Sequence, residues 1–145
     1  MTDVHGVIKH PNSPRPTDYL FRVSLKCVIR NDAGEVLAVK EIGRDFWDLP
    51  GGGMDHGESI QAAITRELHE EIGLTGAFTY KLLAIEDPSL LQHNFYQLRI
   101  IVALLPENTA FSAGVDADEI AFIDPNLLKN SLHNAERKLY HYSQL

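Results

Sequence analysis

The chain has 145 residues, 44% hydrophobic and 23% charged, the proportions of one ordinary globular domain, with no apolar run near the ~20 residues that a membrane span needs. Thirteen Lys and Arg against twenty Asp and Glu leave a net charge of −7, the wrong sign for gripping a long nucleic acid through its phosphates, and a single cysteine excludes an internal disulfide. No basic segment followed by an apolar block opens the chain, so no secretory signal is expected and the protein reads as cytoplasmic.

Residues 1–17 are polar, carry Pro11, Pro14 and Pro16, and read as a leader on the surface or an edge extension; the domain proper is expected over 18–145. Residues 19–30 are strand-like, and Cys27 within VSLKCVIR reads as a buried, inert thiol. The turn signal Asn31-Asp32-Ala33-Gly34 followed by a strand over 36–40 predicts a hairpin. A short strand is expected over 46–49, ending at Pro50-Gly51-Gly52-Gly53.

Ser59 is a natural N-cap, and Gly73 stands where a left-handed cap would close a helix over 59–72. Strands are expected over 78–85 and 95–104, then a loop over 107–118, a short strand over 120–123 and a helix over 131–142. Strands, helix, strands, helix in one domain predict an α/β (α+β) arrangement: a mixed sheet with helices packed on both faces.

The predicted central helix carries Ile60, Ile64, Leu68 and Ile72 as one apolar stripe. Glu67, Glu70 and Glu71, at i, i+3 and i+4, share a face that borders that stripe. Exposed, such acids would cost only tenths of a kcal/mol each. Beside a buried stripe they should be partly desolvated, and one arginine, Arg66, cannot balance three of them. A divalent cation would, and oxygen ligands without Cys or paired His suit Mg²⁺ or Mn²⁺ better than zinc. His69 lacks the second histidine of a helical zinc site and is expected on the solvent side; His56 and His93 read as surface or loop residues.

From Gly52 the chain reads Gly, five residues, Glu58, seven residues, Arg66-Glu67-Leu68-His69-Glu70-Glu71-Ile72-Gly73-Leu74. This resembles the complete Nudix box, and coincidence of its seven fixed residues at a given start is on the order of 10⁻⁸ from average usage. Trp47-Asp48-Leu49-Pro50-Gly51 also resembles the usual approach to that box. The resemblance implies a Nudix-type α/β/α sandwich, Mg²⁺ or Mn²⁺ as cofactor, and Glu67, Glu70, Glu71 and a Gly51 carbonyl as metal ligands, with Arg66 orienting the glutamates and Glu70 its expected partner. It implies hydrolysis of the pyrophosphate linkage of a nucleoside diphosphate joined to another group, X. Glu67 is the first choice of base, and the loop acids Asp116, Asp118 and Glu119 are alternatives. The competing reading is a catalytically silent Nudix-fold module that binds nucleotides.

A small nucleotide-type substrate is the expected partner, leaning to a nucleotide sugar or a nucleoside triphosphate. Phe46, Trp47, Phe95 and Tyr96 could stack on a base or fill the core, and Arg22, Arg44, Arg99 and His93 could meet phosphates or lie solvated. Pro88 is a weak pointer to ADP-ribose. The leader and Tyr140-His141-Tyr142 could form a homodimer contact or cover the domain's own surface.

Overall fold

The computed structural model describes residues 4–145, so the first three residues of the expected leader lie outside the described residues. Further along the leader, β1 (Val7–Lys9) folds back antiparallel on β2 (Thr17–Tyr19), with Ile8 facing Asp18. The chain continues through β3 (Arg22–Val28), β4 (Val36–Glu41), β5 (Gly51–Gly53) and α1 (Ile60–Ile72). It then forms β6 (Phe78–Ile85), β7 (Ser89–Leu90), β8 (Tyr96–Pro106), β9 (Ala117–Ile123), a 3₁₀ turn Pro125–Leu128 and α2 (Asn134–Ser143).

The central sheet runs β5-β3-β8-β6, with β7 added against β8. β3 and β8 are parallel and the other pairs antiparallel, which makes the sheet mixed, as expected. Two strand expectations change. The Asn31 turn forms, its side-chain oxygen accepting the N–H groups of Ala33 and Glu35, but β3 and β4 stay together only near the turn, at the Arg30–Val36 bridge. Beyond it β4 leaves the sheet and pairs with β9, eighty residues on. The expected strand over 46–49 shrinks to one bridge, Asp48 to Val39, and the regular strand is the glycine triplet itself, held by pairing to β3. Intrinsic propensity disfavours glycine in a strand; register with a buried neighbour overrides it.

Alternation along β3 assigns the two faces. Leu25, Cys27 and Ile29 point toward α1 and join Leu37, Val39, Val102, Leu104, Ile64, Leu68 and Ile72 in one core. Val28 points the other way, with Val36, Ala38, Ile101, Leu139 and Tyr142 in a second core under α2. Helices thus cover both faces. Tyr142 is 5% exposed within this second core, so it covers the chain's own surface. Cys27 is buried and its thiol is pushed up to about 12, mainly by burial, in keeping with an inert residue.

Candidate active site

The helix that carries the acids begins and ends as its sequence dictates. Ser59 accepts from the Ala62 N–H, and Gly73, at φ 66°, donates to the His69 carbonyl while Leu74 donates to that of Leu68. The apolar stripe fixes the rotation, with Ile64, Leu68 and Ile72 almost inaccessible. Glu71 beside them is 4% exposed, and the Glu67 and Glu70 side chains are 14% and 34% exposed. His69 lies on the exposed side, as expected.

Opposite the helix stands β5. Its register to β3 turns the N–H and C=O of Gly51 and Gly53 away from the ladder, toward α1. Side chains of the helix meet them there. The Gly51 N–H donates to Glu71 Oε2 at 2.9 Å, and the Gly53 carbonyl accepts from Arg66 Nη2 at 3.0 Å. Gly52 faces Glu67 so closely that a Cβ would lie 2.6 Å from its carboxyl carbon. The absence of side chains on β5 is what brings backbone and carboxylates together.

Arg66 is the hub of the cluster. Nε and Nη2 donate to the two oxygens of Glu58, each at 2.8 Å, a bidentate pair, and Nη1 donates to Glu67 Oε1 at 2.8 Å. Glu70, the partner expected one turn on, is 3.7 Å away, and Asp55 is 3.5 Å away. Glu58 is therefore the principal partner, reached because the chain folds back before the helix starts. The Arg66 hydrogen bond, joined by the Asp55 N–H, holds the Glu58 carboxyl down to about 2. Arg66 itself is driven further toward its charged form, first by Glu58.

Glu71 and Glu70 are poised the opposite way. Glu71 is pushed up to about 8, mainly by burial, with Lys26 and the Gly51 N–H opposing and the charges of Glu41 and Glu67 adding. Glu70 is also raised, by burial first and then by Glu67 and Asp116. Among the described residues no three His, Cys, Asp or Glu side chains converge as ready-made metal ligands. They spread instead over Arg66 and the glycine N–H. The donor set nonetheless fits a hard divalent cation. It is all oxygen, it is short of positive charge where burial penalises unpaired carboxylates most, and the Gly51 carbonyl faces the same side as its N–H.

Glu71 gives the metal-free protein a signed pH dependence. The folded carboxyl, near 8, holds its proton more tightly than the unfolded one, near 4.5, so its stabilising share is complete below 4.5 and lost as pH climbs through 8. In EDTA, Glu71→Gln should match the wild type near pH 5 and exceed it at pH 8.5 by roughly 2 to 4 kcal/mol, seen as a melting temperature some 10 °C higher. A gap that does not widen with pH would overturn this.

The loop before β9 closes the helix C-terminus. The N–H groups of Ser112, Gly114 and Asp116 donate in turn to the carbonyls of Ile72, Glu71 and Glu70, at 3.0 to 3.1 Å. Gly114 permits the approach, since a Cβ would lie 2.1 Å from the Glu70 oxygen. This ladder brings Asp116 to Glu70. Asp118 turns aside to accept the Gly43 N–H, and Glu119 is not brought to the cluster: paired with Lys40, it lies on the α2 face of β4 and β9, away from α1. Two residues near the cluster carried no mark in the sequence. Lys26 is buried, bound to Asp48 at 3.1 Å, and its charge steadies Glu71, whereas Glu41 opposes it. A lysine alternating with apolar residues in a strand that ends beside glycines was the available signal for the first.

Of the aromatic residues, Trp47 packs into the α2 core and lies under Lys40, and Phe46 stacks on His133 with Arg44 above it. Phe95, His56 and His93 line a cavity beside β5, and Pro88 and Tyr96 line another under the β1–β2 hairpin. No helix among the described residues is long and apolar enough to cross a membrane.

Comparison with known proteins bears on the fold and the family. An RNA pyrophosphohydrolase of Ruthia magnifica subsp. Calyptogena magnifica is 41% identical over 75 residues, which cover 52% of this chain and 41% of that protein, so the match spans less than half of the relative's length. The crystal structure of a MutT protein from Methanosarcina mazei Go1 superposes with a TM-score of 0.64 at 20% identity, covering 86% of this chain and 93% of the other. A MutT NUDIX hydrolase from Burkholderia pseudomallei gives 0.62 at 22% identity, over 85% and 98%. These likenesses show a shared fold, and the NUDIX domain family model matches residues 20–142. The chain belongs to the Nudix family.

Proposed function

We infer that this protein is a pyrophosphohydrolase, cleaving the phosphoanhydride bridge of a nucleoside diphosphate linked to a further group, with Mg²⁺ or Mn²⁺ as cofactor. The observation that carries the reading is the joint placement of Glu67, Glu70 and Glu71 against the glycine strand, organised by Arg66. An exposed acidic helix would need neither the bare strand nor the buried Glu71. The names of the relatives, RNA pyrophosphohydrolase among them, support the reaction class.

Glu67, Glu70, Glu71 and the Gly51 carbonyl would hold the cation. When bound, the cation supplies charge neutralisation at the phosphate oxygens and a more acidic water. Glu67 would take the water's proton, its carboxylate aimed by Arg66 Nη1 and pressed against Gly52. Arg66 cannot itself serve as acid or base, since Glu58 locks its charge; its part is to fix where Glu67 points. Asp116, hydrogen-bonded beside Glu70, is the loop acid within reach of the same site, which makes it the alternative base in place of Glu119.

The test is a hydrolysis screen with Mg²⁺ over nucleoside triphosphates, nucleotide sugars, ADP-ribose and a short RNA with a terminal triphosphate, with products identified by mass. Metal-dependent cleavage between two phosphorus atoms is expected for at least one. The RNA arm sets the relatives' printed activity against the −7 charge of this chain, which opposes long polyanions. Nucleotide binding without turnover on any substrate would overturn the hydrolase in favour of a silent binding module.

A further inference from the structure

The face of β3 turned away from α1 carries Arg22, Ser24 and Lys26, and the parallel register sets Gln97 beside Arg22 and Arg99 beside Ser24. Three cations therefore share one face, and the protein neutralises one of them. Lys26 donates to Asp48 Oδ2 and to the Leu49 carbonyl. Among the described residues neither Arg22 nor Arg99 has a carboxylate within ion-pair distance. Glu86, whose N–H donates to the Arg99 carbonyl, gives its carboxylate to Lys138 at 3.3 Å instead. Arg99 Nε is moreover buried with no hydrogen-bond partner. In a chain with seven more acids than bases, two guanidinium groups without a carboxylate, one with an unmet buried donor, call for an anion from outside.

Their position says which anion. Register separates the two Cα atoms by one strand spacing and two residues, roughly 8 Å, a span that two arginines can close around one phosphate. Arg22 lies directly against the glycine strand: a Cβ on Gly53 would come within 2.2 Å of its guanidinium, just as one on Gly52 would strike Glu67 from the opposite face. A chain of phosphates crossing the edge of β5 therefore meets the carboxylate cluster on one side and the arginines on the other. Arg22 also borders a half-open cavity of about 610 Å³ lined largely by apolar and aromatic residues, among them Phe21, Met54, His93 and Phe95, with room for a nucleobase.

We propose that Arg22 and Arg99 form a phosphate-binding subsite that holds the nucleoside-side phosphate of the substrate, with the base turned into the cavity bordered by Arg22. This names the nucleotide end of the substrate within the hydrolase reading above, and it makes the two arginines specificity residues that act by binding. Binding here needs no metal and no turnover.

The test uses the full chain in excess EDTA, titrated calorimetrically with a nucleoside monophosphate and, separately, with inorganic phosphate. The monophosphate should bind the wild type more tightly than phosphate does. Arg22→Gln and Arg99→Gln should each weaken it about 10- to 100-fold, the worth of a charged hydrogen-bonded contact, and Arg99→Lys should recover part of the loss. With a hydrolysable substrate the same variants should raise KM by more than they lower kcat. Arg22→Gln, at an exposed position, decides the matter even where Arg99→Gln folds poorly. A wild type that binds no monophosphate in EDTA, or arginine variants that bind as it does, would overturn the subsite; equal affinity for inorganic phosphate would overturn the cavity's part. A hydrolysis screen without turnover would defeat the enzyme reading alone, because the EDTA titration does not depend on it.

Discussion

Glu71→Gln should abolish Mg²⁺-supported hydrolysis while the protein stays folded. The amide still accepts from the Gly51 N–H, and it replaces a carboxyl that the metal-free protein keeps protonated up to about pH 8 because burial penalises its charge, so the fold has nothing to lose. The cation loses its most desolvated carboxylate. Charge stabilisation by a bound metal is worth several kcal/mol in the transition state, so turnover should fall by about 10³-fold or more, and the melting temperature should stop responding to Mg²⁺. Steady-state rates and thermal shifts at matched Mg²⁺ concentrations measure both. Activity within about tenfold of the wild type would refute the ligand assignment, whatever the stability.

The second large effect belongs to Gly51. Its φ of 139° lies where side chains are strained, and a Cβ there would sit 2.0 Å from the Leu25 carbonyl oxygen, a backbone atom of the most buried strand that cannot step aside. Gly51→Ala should therefore force β5 off β3 and cost about 3 kcal/mol or more, lowering the melting temperature by roughly 10 °C or preventing folding. Gly52→Ala meets only the Glu67 carboxylate, the mobile end of a side chain. That variant should melt close to the wild type yet lose about 10²-fold in rate, because Glu67 no longer rests where Arg66 aims it. Equal destabilisation by the two substitutions would contradict this division between a glycine needed for the fold and one needed for the site.

Much of the helix and its acids was legible in the sequence because those properties are local. Spacings of three and four residues fix a common face in any α-helix, a serine and a glycine mark its ends, and a stripe of Ile and Leu says which side is buried. The order of elements, the mixed sheet and helices on both faces followed from the same periodicities. The expected pairing of β3 with β4 held only beside the turn for a related reason: a turn signal describes four residues, and it cannot tell that β4 will find its partner in β9, where Val39 meets Ile120 in the α1 core. Nor could propensity announce a strand made of three glycines, which exists only because β3 offers it a ladder.

The chemical grouping shows the same division. Sequence by itself determined that Glu67, Glu70 and Glu71 sit together beside an apolar stripe, that glycines precede them and that Arg66 lies among them, since helix geometry is the same wherever a helix is placed. Only the tertiary structure decided that Arg66 clasps Glu58 rather than Glu70, because the clasp depends on the chain folding back between β5 and α1. It alone brought Asp116 to Glu70, through the loop's N–H ladder onto the helix C-terminus, and set Glu119 on the opposite face of β9 from Ile120. It alone placed Arg22 and Arg99 on one face across a parallel pair separated by more than seventy residues. Contacts within a few residues of each other are written in the order of the chain; contacts across the sheet are fixed by which buried surfaces fit, and that is settled only when the whole domain has closed.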